Sequence, residues 1–202
     1  MKKTTMLLSA LLVAGGAAAI AAAQALVGQP APDFTASDTN GKPETLSSFK
    51  GKWVVLEWTN AECPFVQKHY NSGNMQRLQK TYTGKGVTWL SINSSAPGKE
   101  GWVDAAGANA LTTRRGATPT AFLLDPAGTV GRLYGAKATP HMFVIDPSGK
   151  IVYQGAIDDK PSTDLADVKT ATNYVSGALD EAMAGKAVTK TSSQPYGCSV
   201  KY

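Results

Sequence analysis

Cysteine is scarce in this chain of 202 residues: there are only two, Cys63 and Cys198, far apart in sequence. No closely spaced pair stands near Cys63, so the usual cysteine signature of a metal-ligating site is missing. Charge is sparse as well, at 17% of residues. The formal net charge is +5, but Lys2 and Lys3 lie in the N-terminal leader; without them, 18 basic residues face 15 acidic ones. So mild and dispersed a surplus excludes nucleic acid as the natural partner and describes a mixed, solvated surface. Disorder is excluded too, since 43% of residues are hydrophobic, an ordinary value for a folded domain. The length suits one domain with a targeting segment, not two domains.

What is present begins with that segment. Residues 1–25 carry a basic start (Lys2, Lys3), an apolar middle from Met6 to Ile20, and small residues at Ala23-Gln24-Ala25. This is the pattern of a secretory signal peptide, with Leu26 the expected first mature residue. The competing reading is an uncleaved anchor, because Met6 to Val27 is long enough to cross a bilayer. The small-residue ending, with no basic residues just after it, favours cleavage and a periplasmic domain; the membrane is a partner only if the leader stays. Disulfides persist in the periplasm, so the two cysteines are expected to pair, either permanently or within a catalytic cycle.

The run Val54-Val55-Leu56-Glu57-Trp58 reads as a buried strand. It ends in a short polar loop, then Cys63-Pro64, and proline is favoured at the first position of a helix. Cys63 therefore stands where a strand gives way to a helix, and the unpaired N–H groups of a helix start favour a thiolate over a thiol. An inert buried cysteine is the alternative. Glu57 lies on the same strand; buried, it would have a raised pKa and could exchange protons with nearby sulfur chemistry. Strand alternation leaves a solvent-facing Glu57 equally open.

Along the chain, Gly28 to Phe34 is extended, Asp38 to Lys42 is a turn, and Leu46 to Phe49 is a short helical turn. The helix after Cys63 is expected to run from Pro64 to about Tyr82, with Gly73 as a kink. Strands are expected at Val87–Asn93 and around Phe122, with helices over Trp102 to Arg115 and Thr129 to Tyr134. Met142 to Ile145 and Ile151 to Gln154, joined by Asp146-Pro147-Ser148-Gly149, form a hairpin. A helix from about Leu165 to Met183 closes the domain, and residues 186–202 form a polar tail that carries Cys198. Strands alternating with helices predict an α/β sheet covered on both faces, a single domain over residues 26–185. Segments 116–135 and 135–155 echo one another through Thr-Pro, an apolar strand and Asp-Pro, but two copies make no repeat architecture.

Taken in order, Ala31-Pro32-Asp33-Phe34, the strand ending Glu57-Trp58, Cys63-Pro64, Thr139-Pro140 and Phe143-Val144-Ile145-Asp146 through Gly149-Lys150-Ile151-Val152-Tyr153 resemble a redoxin. This is the thioredoxin-fold group of the alkyl hydroperoxide reductases and thiol-specific antioxidants. Cys63-Pro64-Phe65-Val66 and Gly197-Cys198-Ser199-Val200-Lys201 are similar to its exported, peroxiredoxin-like branch. The resemblance implies a thioredoxin-like fold, a central mixed β-sheet flanked by helices, with a cis-proline loop lying against the active cysteine. It makes Cys63 the nucleophile and Pro140 the cis-proline, ahead of Pro119. It makes Glu57 the counterpart of the buried proton-relay acid, and it places His141 near Cys63, where it would lower the thiol pKa or hold substrate.

Two departures from the family pattern matter. Val66 stands where thioredoxins carry a second cysteine, so no local dithiol exists. Asn60 stands where peroxiredoxins carry a peroxide-binding threonine, which puts efficient peroxidase activity in doubt, although Asn60 can donate and accept hydrogen bonds to a substrate. Cys198 is then the only resolving cysteine in the chain, if the tail folds back. His69 reads as a helix-surface histidine, Trp58 and Phe65 as core, and Asp158-Asp159 as a loop feature.

The resulting expectation is a periplasmic thiol oxidoreductase that reduces a hydroperoxide or a protein disulfide through Cys63 with an external thiol donor. It needs no bound cofactor and no metal. The rivals are a copper-handling protein that uses Cys63, Cys198 and His141, and a non-catalytic domain held by a structural Cys63–Cys198 disulfide.

Overall fold

The computed structural model of the chain describes residues 25–202, so the leader expected over residues 1–25 lies outside the described residues except for Ala25. Strand β3 (Val54–Trp58) is buried along its whole length, as a central strand covered on both faces must be. It pairs in parallel with β4 (Thr88–Asn93) and antiparallel with β7 (His141–Ile145). Outward from β4 come β5 (Ala121–Leu124), then β1 (Thr35–Asp38) and β2 (Pro43–Thr45); outward from β7 comes β8 (Ile151–Gly155). The result is a mixed seven-stranded sheet in the order β2-β1-β5-β4-β3-β7-β8.

Strand alternation divides the core in two. Val55, Trp89, Met142 and Val144 face α1 (Pro64–Asn71), α2 (Asn74–Gly84) and α5 (Tyr174–Met183). Val54, Leu56, Trp58, Phe143 and Ile145 face Phe34, Val130 and Tyr134, the last two from α4 (Thr129–Tyr134). On this second face Trp58, Tyr134 and Phe143 pack as an aromatic triad with ring centroids 5.3–5.5 Å apart.

Several boundaries differ from the sequence expectation for local reasons. The helix after Cys63 is two helices, broken where Gly73 takes φ +72°. Helix α3 (Ala105–Arg115) starts late because the Asp104 carboxylate caps it by accepting from the Gly107 N–H at 2.7 Å. The segment read as one helix from Leu165 to Met183 is a 3-10 turn (Leu165–Lys169) and then α5, whose start is fixed by Asn173 accepting from the Ser176 N–H. The β1–β2 hairpin was not expected; it is short, polar and at the sheet edge, so no apolar alternation announces it.

The tail is not loose. Gln154 of β8 donates its backbone N–H to Thr191 and accepts from the Ser193 N–H, both at 3.1 Å, so the tail covers the sheet edge. It then crosses to β6 (Ala138–Thr139), where β9 (Cys198–Ser199) pairs antiparallel with it. It ends with the Ala96 N–H bonded to the Lys201 carbonyl (2.7 Å) and the Tyr202 hydroxyl on the Ala136 carbonyl (2.8 Å).

Gly73 has open space around it, so Gly73→Ala adds only the left-handed backbone cost, and a loss of about 1–2 kcal/mol is expected in urea unfolding. An unchanged midpoint would mean that the helix break is not held by that glycine.

Candidate active site

Cys63 is placed by a tight loop at the end of β3. Asn60 makes the turn: its Oδ1 accepts from the Glu62 N–H (2.8 Å), its carbonyl accepts from the Cys63 N–H (3.3 Å), and its Nδ2 donates to the Glu100 carbonyl (3.1 Å). Cys63 then becomes the N-cap residue of α1, with Pro64 at the first helical position, as expected. The Thr139–Pro140 peptide is cis, and Pro119 is not.

The loop carrying Cys63, the Thr139–Pro140 loop and the tail around Cys198 come together here. The Cys63 thiol donates to the Thr139 carbonyl at 3.0 Å. Cys198 lies directly across from Thr139 in the β6–β9 register, and both cysteines are free thiols that belong to one packed cluster. Gly197 lets the tail come this near: with φ +131°, a Cβ there would meet the Thr139 oxygen at 2.1 Å.

The two thiols are electrostatically unequal. Burial pushes the Cys63 thiol up, since its side chain is sealed from solvent. Donors outweigh that: the Cys198 thiol, the Thr139 hydroxyl and the backbone N–H groups of Val66 and Cys198 hold Cys63 below its ordinary value. Cys198 moves the other way, pushed up to about 12 by burial, by its hydrogen bond to Cys63 and by the charge there. The pair therefore holds one proton preferentially, on Cys198.

Glu57 is fully buried beneath α1 and α2 and is not solvent-facing. Oε1 accepts from the Tyr70 hydroxyl (2.7 Å); Oε2 accepts from Trp89 Nε1 (2.8 Å), the Ser91 hydroxyl (2.8 Å) and Gln79 Nε2 (3.2 Å). Burial raises its pKa in spite of these donors. No hydrogen bond joins it to Cys63 among the described residues. Its link to the site is indirect: Arg115 stacks 4.2 Å over the Tyr70 ring and donates to the Ala61 carbonyl in the cysteine loop (3.3 Å).

His141 is not brought to Cys63. Residues alternate along β7, and its ring joins Phe143 on the opposite face (centroids 4.7 Å). There, burial and the nearby Lys137 charge lower its pKa to about 4. A copper set of Cys63, Cys198 and His141 is therefore not assembled; among the described residues no three His, Cys, Asp or Glu side chains stand together as metal ligands. Asn60, expected to contact substrate, has its amide committed to the loop.

A cluster that sequence reasoning missed lies on the other flank of α1. His69 and Lys68 are buried rather than on the helix surface, and Asp158 is buried with them rather than standing in a solvent loop. Tyr196, two residues before Cys198, bonds through its hydroxyl to Asp158 and His69 (3.2 Å to Nε2) and lies 3.4 Å from the Lys68 ammonium. Burial and the Lys68 charge press His69 down to about 3, so its ring is neutral. No spacing in the sequence signals this group, because Lys68, Asp158 and Tyr196 come from three distant segments.

The AhpC/TSA family model matches residues 27–154. The thiol-disulfide oxidoreductase ResA of Bacillus subtilis is 31% identical over 116 residues, 51% of this chain and 64% of the relative, so the match spans less than two thirds of that protein. Among solved structures, a hypothetical protein of Sinorhizobium meliloti superposes with TM-score 0.73 at 26% identity, covering 88% of this chain and 94% of the other. An uncharacterised conserved protein of Geobacillus kaustophilus also reaches 0.73, at 25% identity over 88% and 93%.

Two outcomes follow from these charges. As pH rises, far-ultraviolet thiolate absorbance should show one thiol, Cys63, ionising below the ordinary cysteine value and Cys198 only near 12; Cys198→Ala removes a donor and should raise the Cys63 pKa. Two thiols titrating together at an ordinary value would contradict the arrangement. Glu57 has a raised folded pKa, so the native state holds a proton that the unfolded chain releases, and stability should fall as pH climbs from the ordinary carboxylate value through the folded one. Glu57→Gln, whose amide can turn its oxygen toward Trp89, Ser91 and Gln79, should flatten that slope in urea unfolding across pH.

Proposed function

The chain belongs to the AhpC/TSA family, and from that premise we propose that it is an exported thiol–disulfide oxidoreductase in which Cys63 attacks and Cys198 resolves. The observation that carries the reading is the convergence of both cysteines on Thr139 beside the cis Thr139–Pro140 peptide, the Cys63 thiol on its carbonyl and Cys198 opposite it in the β6–β9 pair. Disulfides are the favoured substrate over hydroperoxides because Asn60, in the place of the peroxide-binding threonine, has its amide committed to the cysteine loop. The relative named a thiol-disulfide oxidoreductase supports the same class. Export rests on the leader's composition and on a chemistry suited to an oxidising compartment; among the described residues no helix is long and apolar enough to cross a membrane.

In this mechanism the Cys63 thiolate attacks one sulfur of a partner disulfide. The partner's S–S bond breaks, its second sulfur leaves as a thiolate and takes a proton from solvent, and Cys63 is joined to the partner. Two influences that raised the Cys198 pKa, the bond to Cys63 and the charge there, then vanish. Cys198 can now ionise and attack the Cys63 sulfur, releasing the partner as a thiol and closing a Cys63–Cys198 disulfide. Two electrons have passed to the partner, and an external thiol donor must return them. Glu57 acts as a positioning residue, fixing the cysteine loop through Tyr70 and Arg115.

With a disulfide-bonded test protein and a thiol donor, Cys63→Ser should abolish turnover, while Cys198→Ser should stop after one event with a mixed disulfide on Cys63, mapped by mass spectrometry. The native pair should have a reduction potential above about −300 mV, outside the range of structural disulfides. A lower potential with no turnover would return the pair to a structural role.

A further inference from the structure

Cys63 has no exposed surface, so the sulfur that must meet a partner is sealed in the folded molecule. The seal is the tail. Cys198 packs on the cluster that holds Cys63 and stands opposite Thr139, whose carbonyl takes the Cys63 thiol; Gly197 presses on that carbonyl, and the Tyr196 ring packs edge-on to Phe65 of α1 (centroids 5.8 Å). The tail meets the loop as a strand: Cys198–Ser199 pairs antiparallel with Ala138–Thr139. Beyond its native role as cover, this arrangement displays what the seat accepts, an extended segment whose cysteine falls opposite Thr139.

The seal is also fastened. Lys68 is buried in the last turn of α1, with its ammonium donating to the Lys160 carbonyl (2.6 Å) and lying near the Tyr196 hydroxyl. Asp158 bonds Tyr196 through Oδ1, while Oδ2 has no hydrogen-bond partner among the described residues and lies 4.0 Å from His69 Nε2. His69 is fixed from behind by Asn74 Nδ2 on Nδ1 (3.0 Å). A lysine, a neutral histidine and a buried aspartate thus converge on one phenol. Only that phenol belongs to the tail segment that carries Cys198.

We infer that Tyr196–Ser199 is a tethered occupant of the seat for an extended, cysteine-bearing segment of a partner protein, and that the Tyr196 hydroxyl, clamped by Lys68, His69 and Asp158, is the latch that keeps the seat closed. This rests on the disulfide-exchange reading above. A partner enters when the latch opens: its segment replaces β9 on the Ala138–Thr139 backbone, its cysteine takes the position of Cys198 over Cys63, and exchange proceeds as written. The close approach of Gly197 to Thr139 adds a preference for glycine just before the partner's cysteine. Lys68, His69 and Asp158 are positioning residues, since they act on the sulfur only through the tail.

The test uses the full chain carrying Cys198→Ser, so that Cys63 is the only thiol. Iodoacetamide should alkylate Cys63 slowly. Adding Tyr196→Phe, which keeps the ring and removes the hydroxyl, should speed alkylation about tenfold to a hundredfold, the weight of one charge-assisted hydrogen bond. A synthetic peptide with the sequence Gln194–Tyr202, its cysteine activated as a mixed disulfide with thionitrobenzoate, should be captured on Cys63 faster by the same factor, releasing one thionitrobenzoate per protein. The peptide with alanine in place of its glycine should be captured more slowly. Lys68→Met, which preserves the aliphatic packing, provides a second unlatched protein if Tyr196→Phe does not fold.

A folded, cooperatively melting unlatched variant that is alkylated at the parent's rate overturns the latch. So does a parent whose Cys63 is alkylated as fast as an unstructured cysteine peptide. Equal capture of the glycine and alanine peptides overturns the strand seat. Alkylation that responds to the latch while Cys63 exchanges with no disulfide at all overturns the exchange reading and the seat together, and leaves the latch supported.

Discussion

A sulfur that is to carry negative charge sits where no water reaches it, and the local architecture answers that single difficulty. Burying a charge without donors is prohibitive; what lowers the Cys63 pKa against its burial is the set of protein donors that replace the solvent, namely the Cys198 thiol with its own N–H, the Thr139 hydroxyl and the N–H of Val66 at the start of α1. Half of those donors come from the tail. The nucleophile is therefore tuned by the segment that covers it, and uncovering it changes its chemistry as well as its access.

Helix α1 is the shared support. On one side Tyr70 reaches down to Glu57, and Arg115 stacks on Tyr70 while holding the Ala61 carbonyl, so the cysteine loop rests on a buried carboxylate. On the other side Lys68 and His69 hold Tyr196 and so the tail. Such networks are costly to leave half-satisfied, which makes each of them a device for fixing one geometry rather than a source of net stability. The two networks fix the two halves of the site, loop and tail, from a single eight-residue helix.

The same logic explains why His141 is not part of the site. Its neighbour Pro140 is in place, but one residue along a strand reverses the face. His141 therefore joins the aromatic packing around Phe143. Proximity in sequence to the cis-proline loop says nothing about which side of the sheet a ring will take.

The central strands, the hairpin at the end of the sheet and the cysteine at a helix start were legible in the residues themselves, while the cis-proline was legible only through the family resemblance. The first three depend on near neighbours: apolar runs, turn residues, a proline after a cysteine. Burial of Glu57, left open by alternation, was decided by which helices lie over β3. The pairing of Cys198 with the loop, the donors around Cys63, and the group formed by Lys68, His69, Asp158 and Tyr196 were settled by tertiary structure alone. The physical reason is the same in each case. Local propensity acts over a few residues, whereas desolvation and hydrogen bonding depend on which distant segments fill the space around a group, and that is fixed only when the chain has closed on itself.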